Sequence, residues 1–476
     1  MNIPGPMEEQ SAAAQLPLFN PVKKIDRQIR TSVEVTEEHL EIYQKWYTKD
    51  SFKASREEQA LWKNKCIRRD SEPVEQTIDR PGPKEEQSAA AQLPPLSITA
   101  KYVTPPHRMD EKEKRVRRRS IRFTLQQKAG ELLPKHRVSY CQQRLIAGQT
   151  TVKIMLSEGK DGSSPHAHYK GLMTCGSVWV CPVCAAKITE RRRLEVKRAI
   201  DLNPDKEKIF VTFTFSHLSD WPLERSLKVF LQAYRKLRAG DPYKHFEEKY
   251  GIVADIVGLE QTYGDEHGWH PHKHDLMFSV SKLTEDHVEE MRNWLSARWV
   301  KILASLGYYA SDQYGVDVRI GDQAAGDYIT KWGLDSELTK GPAKMGRKEN
   351  YTPWQLLLGA VEGDQRAAAL FVEYANAMKG KRLLTWSKGA REILGLNEPE
   401  LTDEELAEQD QAKAVEFMAI TKLQLDKVVK VGIRAELLSM AEQTRDAFKV
   451  WLWLGEFGIE ALPIQLENSL AFKNTT

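Results

Sequence analysis

The chain has 476 residues, 41% of them hydrophobic and 12 of them Trp, enough for at least one full core and, at this length, two or three domains. Lys plus Arg number 70 against 67 Asp plus Glu, so a net charge of +3 excludes a polycationic or polyanionic protein and makes the placement of charge more informative than its sum. There is no run of 18 apolar residues and no charged-then-apolar leader in residues 1–15, which argues against a membrane span or secretory signal and makes the cytoplasm the expected location. The five cysteines are too few and too odd in number for a disulfide framework; they point to reduced thiols and a metal site.

The first 110 residues are rich in Pro, Gln, Ala and charge, and they carry a duplication. Residues 4–17 read PGPMEEQSAAAQLP and residues 81–94 read PGPKEEQSAAAQLP, differing only at Met7 and Lys84. A repeat set in sequence poor in periodic apolar residues reads as duplicated linker, so residues 1–110 are expected to form a largely flexible N-terminal arm, with a helix possible over 33–62. Within the arm, Gln15-Leu16-Pro17-Leu18-Phe19 resembles the bacterial sliding-clamp-binding motif, which implies the host sliding clamp as a partner held through Gln15, Leu18 and Phe19. The second copy at 92–96 lacks the closing aromatic. After the arm, Lys112, Lys114, Arg115, Arg117, Arg118, Arg119 and Arg122 form a basic run that reads equally as a nucleic-acid contact and as solvated surface or disordered arm.

Compact sequence begins near residue 135. In the stretch 135–200 the knuckle Cys181-Pro182-Val183-Cys184 offers two thiolates and Cys175 a third; Cys141 is the first choice for a fourth, with His166 and His168 as rivals. That set predicts a zinc-binding module; the competing redox reading lacks the βαβ context it needs and leaves a third cysteine unexplained. A helix is expected over 185–200, and Arg191, Arg192 and Arg193 within it are candidate DNA contacts. Residues 208–215 (KIFVTFTF) alternate as a strand, and 222–237 has Leu223, Leu227, Phe230, Leu231 and Tyr234 at helical spacing. Strands are expected over 252–262, 270–280 and 315–320, a long amphipathic helix over 284–306 with Thr284 as N-cap, and a further helix over 322–332. The order β-α-β-β-α-β-α predicts an α+β fold, a split βαβ sheet with helices on one face, over 205–335. Residues 350–476 form a helical or mixed C-terminal region.

The run Trp269-His270-Pro271-His272-Lys273-His274-Asp275-Leu276-Met277-Phe278 carries the sharpest chemistry. In a strand, residues two apart share a face, so His272 and His274 can present two imidazoles to one divalent metal, with His270 as a further candidate on the same face. One H-x-H ordinarily marks paired surface histidines; three alternating ones, among 12 in the chain and followed by an apolar strand segment, favour a metal. If 252–262 and 270–280 pair as a hairpin, Glu260 supplies a third ligand. Two imidazoles and a carboxylate leave positions open for water and a phosphate oxygen, which suits catalytic Mg²⁺ or Mn²⁺ more than a closed zinc site. Further on, a helix over Asp327-Tyr328-Ile329-Thr330-Lys331-Trp332 puts Tyr328 and Lys331 on one face, three residues apart, so that an ammonium can lie beside the phenol oxygen.

Taken in order, Phe213-Thr214-Phe215-Ser216-His217, then His270-Pro271-His272-Lys273-His274, then Tyr328-Ile329-Thr330-Lys331 resemble the three motifs of the HUH endonucleases, and most closely the one-tyrosine bacterial plasmid rolling-circle replication initiators. The segments 175–187 and 384–389 extend the likeness to roughly residues 135–400. The resemblance implies a ferredoxin-like nuclease sheet over 205–335 that nicks one strand at a replication origin, with Tyr328 as nucleophile and Lys331 beside it, and later rejoins the 5′ end it holds. It implies origin DNA, single-stranded or hairpin, as substrate and a helicase as a further partner. Two positions depart from the pattern. Lys273 stands where a hydrophobic residue is usual, which bears on the packing of the strand's other face. Ala324 stands where some relatives place a Glu to activate water, leaving Asp322 or Asp327 for that role or a different course of termination. An HUH transposase shares this chemistry, and a zinc-bearing DNA-binding regulator without catalysis is the reading of a different class.

Overall fold

The computed structural model describes residues 109–158, 165–321, 326, 350–408 and 414–460. The basic run after residue 110 is neither arm nor plain surface but the helix α1 (Glu111–Leu132), opened by a capping box in which the Asp110 carboxylate accepts from the Glu113 N–H at 2.7 Å and Glu113 accepts from the Asp110 N–H at 3.0 Å. Arg119, on the inner side of this helix, is buried and donates to the Glu442 carboxylate at 2.7 Å, with Arg115 on the other carboxylate oxygen at 3.1 Å. Burying a guanidinium is tolerable only with such a partner, and the partner lies more than 300 residues away in sequence.

The strands β1 (Thr151–Ser157) and β2 (His166–Lys170) form an antiparallel hairpin whose first strand also pairs with a late one, Val415–Thr421. The alternation of buried Val152 and Ile154 with half-buried Thr151 and Lys153 breaks at buried Met155, and the strand's second partner is remote, so local periodicity does not reveal this three-stranded sheet. The helix α2 (Pro182–Asp201) follows, with Pro182 at its first turn.

The larger sheet takes its strands from the expected places: β3 (Glu207–Phe213), β4 (Ile252–Gly264), β5 (Gly268–Ser279) and β6 (Val316–Ile320). Their order is β6-β3-β5-β4, every neighbouring pair antiparallel, so β3 and β4 run parallel with β5 between them. The helices α3 (Leu223–Leu237) and α4 (Asp241–Lys249) connect β3 to β4, and α5 (Glu285–Ser305) connects β5 to β6, entered through a capping box at Thr284. The short α4 was not expected. Two C-terminal pieces, Asn350–Tyr351 and Leu384–Trp386, add to β4.

The expectation of helices on one face needs correction. Ile209, Val211, Phe213 and Met277 pack with Phe230, Leu295 and Trp299 of α3 and α5. Phe210, Ile256, Leu276 and Phe278, on the opposite face, belong to a second core with Ile188 and Val196 of α2 and with Leu384 and Leu394. The unbroken apolar run Leu276-Met277-Phe278 is what a strand covered on both faces requires. Among the described residues, no helix is long and apolar enough to cross a membrane.

Candidate functional site

Along the second of these faces, β5 changes character from Phe278 and Leu276 to His274, His272 and His270. The β4–β5 register sets Glu260 directly opposite His272, Gly258 opposite His274 and Thr262 opposite His270. Glu260 Oε2 reaches across to His274 Nε2 at 2.7 Å, and the rings of His272 and His274 lie nearly parallel with centroids 6.0 Å apart. The hairpin expected from sequence thus brings His272, His274 and Glu260 to one face. Glu260 keeps 39% of its side chain exposed while His274 keeps 7%, so the group opens to solvent on the carboxylate side. Its donor set, two imidazoles and one carboxylate, fits a divalent cation that retains open positions.

His270 is placed differently. Its Nδ1 is 2.8 Å from His217 Nε2 and its Nε2 is 2.7 Å from Thr214 Oγ1, so it faces the residues that follow β3, whereas His274 Nε2 faces Glu260. Burial holds His270 well below the ordinary imidazole range, and burial likewise pushes His217 down to about 4, so both rings are neutral at pH 7. His217 was read in the sequence only as the end of a motif; its contact with β5 is a non-local one that spacing does not reveal.

Lys273 points to the other face, where its ammonium lies 4.3 Å from the centre of the Tyr234 ring. Asp275, on the same side, accepts from Tyr234 Oη at 2.5 Å, and Arg238 donates to both Asp255 oxygens, at 2.9 and 2.5 Å, while standing 3.6 Å from Asp275. Burial raises the Asp275 carboxyl to about 6, and the Arg238 charge opposes that rise. The departure at Lys273 is therefore accommodated by α3 and its C-cap residue: Tyr234 meets the lysine with an aromatic face, and Arg238 meets the neighbouring carboxylates with a guanidinium.

The four cysteines come from three segments. Cys141 follows a 3₁₀ turn (Arg137–Tyr140), Cys175 lies in the loop after β2, and Cys181 is the N-cap of α2, with Cys184 in its first turn. All four are buried, and their sulfurs lie within 4.8 Å of one another. The Cys141–Cys184, Cys175–Cys184 and Cys141–Cys181 separations are 3.6, 3.7 and 3.7 Å. Disulfides would bring sulfurs to about 2.05 Å, whereas four sulfurs at about 2.3 Å from one zinc stand about 3.8 Å apart. The set can hold zinc, with Cys141 rather than His166 or His168 completing it. As thiols alone they share charge poorly: hydrogen bonds from the other three hold Cys184 well below its ordinary range, while burial pushes Cys181 up. Gln126 donates to Cys141 O at 2.8 Å and reaches Cys181 Sγ at 3.9 Å, and buried Arg434 donates to Gln126 Oε1 at 2.9 Å. Neither residue was singled out from sequence.

Of the arginines proposed to touch DNA, Arg192 is corrected. It is 5% exposed and donates to Glu195, Asp403 and the Leu401 carbonyl at 3.0, 3.1 and 2.7 Å, so it joins α2 to a later segment. Arg193 is half-buried and doubly bonded to Glu190 at 2.8 Å, one turn back, and Arg191 is exposed. Tyr328, Lys331, Ala324, Asp322 and Asp327, and in the arm Gln15, Leu18 and Phe19, lie outside the described residues.

The chain is similar to "Protein rep" of Streptomyces lividans, with 25% identity over 296 aligned residues that cover 48% of this chain and 65% of that protein. It is also similar to a "Neomycin resistance protein" of Streptomyces cyanogenus, with 30% identity over 133 residues, 22% of this chain and 30% of that protein. The match thus spans just under two thirds of the first relative and less than a third of the second. No family model and no solved structure matches.

Proposed function

We propose that this chain is a plasmid rolling-circle replication initiator that nicks and rejoins one DNA strand at an origin through a 5′-phosphotyrosine. The observation that carries the reading is that His272, His274 and Glu260 stand on one face of adjacent strands, with Glu260 Oε2 at 2.7 Å from His274 Nε2. The strand order β6-β3-β5-β4, with a helical crossover between two parallel strands split by an antiparallel one, supports an HUH-type sheet, and the similarity to "Protein rep" supports a role in plasmid replication.

A divalent cation held by the two imidazoles and the carboxylate would polarise the scissile phosphate. The chain's own residues supply the rest. Tyr328 Oη gives up its proton to solvent and attacks phosphorus in line, forming the Tyr–O–P bond as the bond from phosphorus to the 3′ oxygen breaks, and the departing oxygen takes up a proton from solvent to become a 3′-OH. At neutral pH only on the order of a thousandth of an ordinary tyrosine is ionised, so the ammonium of Lys331, three residues on in the sequence, is assigned to favour the charged form and to stabilise the charge that develops on the phosphate. The phosphotyrosine ester conserves the energy of the broken bond, and attack by a 3′-OH reverses the step without a nucleotide cofactor. The four cysteines, filled with zinc, would brace the segment before the sheet.

Tiled single-stranded oligonucleotides from the replicon that encodes the protein, incubated with it and Mg²⁺, should include one that is cut to a 3′-OH fragment and a protein-linked 5′ fragment. Binding without cleavage on every oligonucleotide would favour the zinc-bearing regulator. His272→Ala and His274→Ala should each lower the nicking rate by at least about 100-fold, beyond the roughly 10–100-fold cost of losing a partner that only orients a ligand. Glu260→Ala should cost less, and full activity of His274→Ala in a nicking time course would contradict the site.

The arm adds a partner to this reading. A peptide of residues 10–22 should bind the host sliding clamp with roughly micromolar affinity, about 8 kcal/mol, and Leu18→Ala with Phe19→Ala should remove the binding in a fluorescence-polarisation titration. Such a tether would raise the local concentration of the clamp at the new 3′ end. A wild-type peptide silent at high micromolar clamp would make the segment plain linker.

A further inference from the structure

β3 carries Thr212 on the face it shares with the histidines, and Thr214 follows one residue past the strand's end. Thr212 stands directly opposite His274 in the β3–β5 register, and its Oγ1 is 3.1 Å from His274 Nδ1, while the ring's other nitrogen faces Glu260 at 2.7 Å. Phe210, the next residue on that face, stacks on the same ring with centroids 5.5 Å apart and planes 12° from parallel. One neighbour therefore fixes the plane of the imidazole and another its rotation about that plane.

An imidazole that offers Nε2 to a cation must carry its proton on Nδ1, and a hydrogen-bond partner at Nδ1 selects that form. A hydroxyl both donates and accepts. Thr212 can donate to a bare Nδ1 when Nε2–H is bonded to Glu260, and it can accept from Nδ1–H when Nε2 turns its lone pair outward. The switch moves one proton between ring nitrogens and asks nothing of the backbone. We propose that Thr212 is the positioning residue for His274, setting its tautomer and orientation and thereby the affinity of the site for a divalent cation. The inference rests on the reading of His272, His274 and Glu260 as a cation site.

Calorimetric titration of the full chain with Mn²⁺, without DNA, tests it on the wild type and on Thr212→Val, Thr212→Ser and His274→Ala. Valine keeps the shape and loses the hydroxyl, so Mn²⁺ affinity should fall about 10–100-fold, the usual cost of removing a partner that orients a ligand. Serine should restore affinity to within a few-fold, and the thermal transition of the valine variant should stay near that of the wild type. In ¹⁵N spectra of Mg²⁺-loaded wild-type protein, His274 should carry its proton on Nδ1, a readout that stands even if the valine variant does not fold. Equal Mn²⁺ affinity in wild type and Thr212→Val, or a proton on Nε2 in the loaded wild type, would overturn the inference. Equal affinity in wild type and His274→Ala would overturn the cation site itself, and the positioning role with it.

Discussion

Tyr328→Phe should abolish nicking and the covalent adduct while leaving origin binding within about twofold. The substitution removes one hydroxyl and keeps the aromatic ring, so it deletes the nucleophile with the least change in side-chain shape. Binding is expected to persist because contacts to phosphates and bases, not the nucleophile, supply the affinity. A gel that resolves the protein–oligonucleotide adduct, run beside a mobility-shift titration, separates the two effects. Two other tyrosines serve as controls. Tyr263 is buried with its hydroxyl bonded to Arg366 at 3.0 Å, which ties it to the fold, and Tyr314 is 69% exposed. Persistent adduct in Tyr328→Phe would move the nucleophile, and Tyr314 would be the first to test.

Cys181→Ser or Cys184→Ser should yield insoluble or proteolysed protein with less bound zinc. Structural zinc contributes roughly 10–16 kcal/mol in small peptide sites, as much as the about 5–15 kcal/mol by which a whole domain is stable. The damage should spread beyond the cysteine segment. Gln126 bonds to the Cys141 carbonyl, Arg434 bonds to Gln126 and to the Phe123 carbonyl at 3.0 Å, and Tyr169 donates to the Arg434 carbonyl at 2.9 Å. Loosening the sulfurs would leave that buried guanidinium, whose affinity for its proton burial already pulls down to about 10, without its setting. Elemental analysis and limited proteolysis of wild type and variants check this, and a folded wild-type protein without zinc would contradict it.

What the sequence disclosed was whatever depends on near neighbours. The alternation of Ile209, Val211 and Phe213 reads directly as a strand, Thr284 as a cap, and the i, i+2 spacing of His272 and His274 as a shared face. Even Glu260 was within reach, because one tight hairpin decides its register. The rest turns on pairings between distant segments. Arg119 looks like any member of a basic run until Glu442 is brought beside it, and Arg192 looks like a DNA contact until Asp403 and Leu401 close over it. The strand β1 loses its alternation at the register shift between Ile154 and Met155, and its second partner begins only at Val415. His270 has the spacing of a ligand, and its ring nitrogens face Thr214 and His217; the motif holding those two residues gave no sign of that contact.

Strand transfer tests nicking and joining by this chain most directly. The protein is loaded with a labelled oligonucleotide in Mg²⁺, the adduct is isolated, and an unlabelled acceptor with a free 3′-OH is added without any nucleotide cofactor. The label should first be bound covalently to the peptide that contains Tyr328 and then appear joined to the acceptor as free protein returns. An adduct on another residue, or label released only as a 5′-phosphorylated fragment with none joined to the acceptor, would contradict nicking and joining through Tyr328.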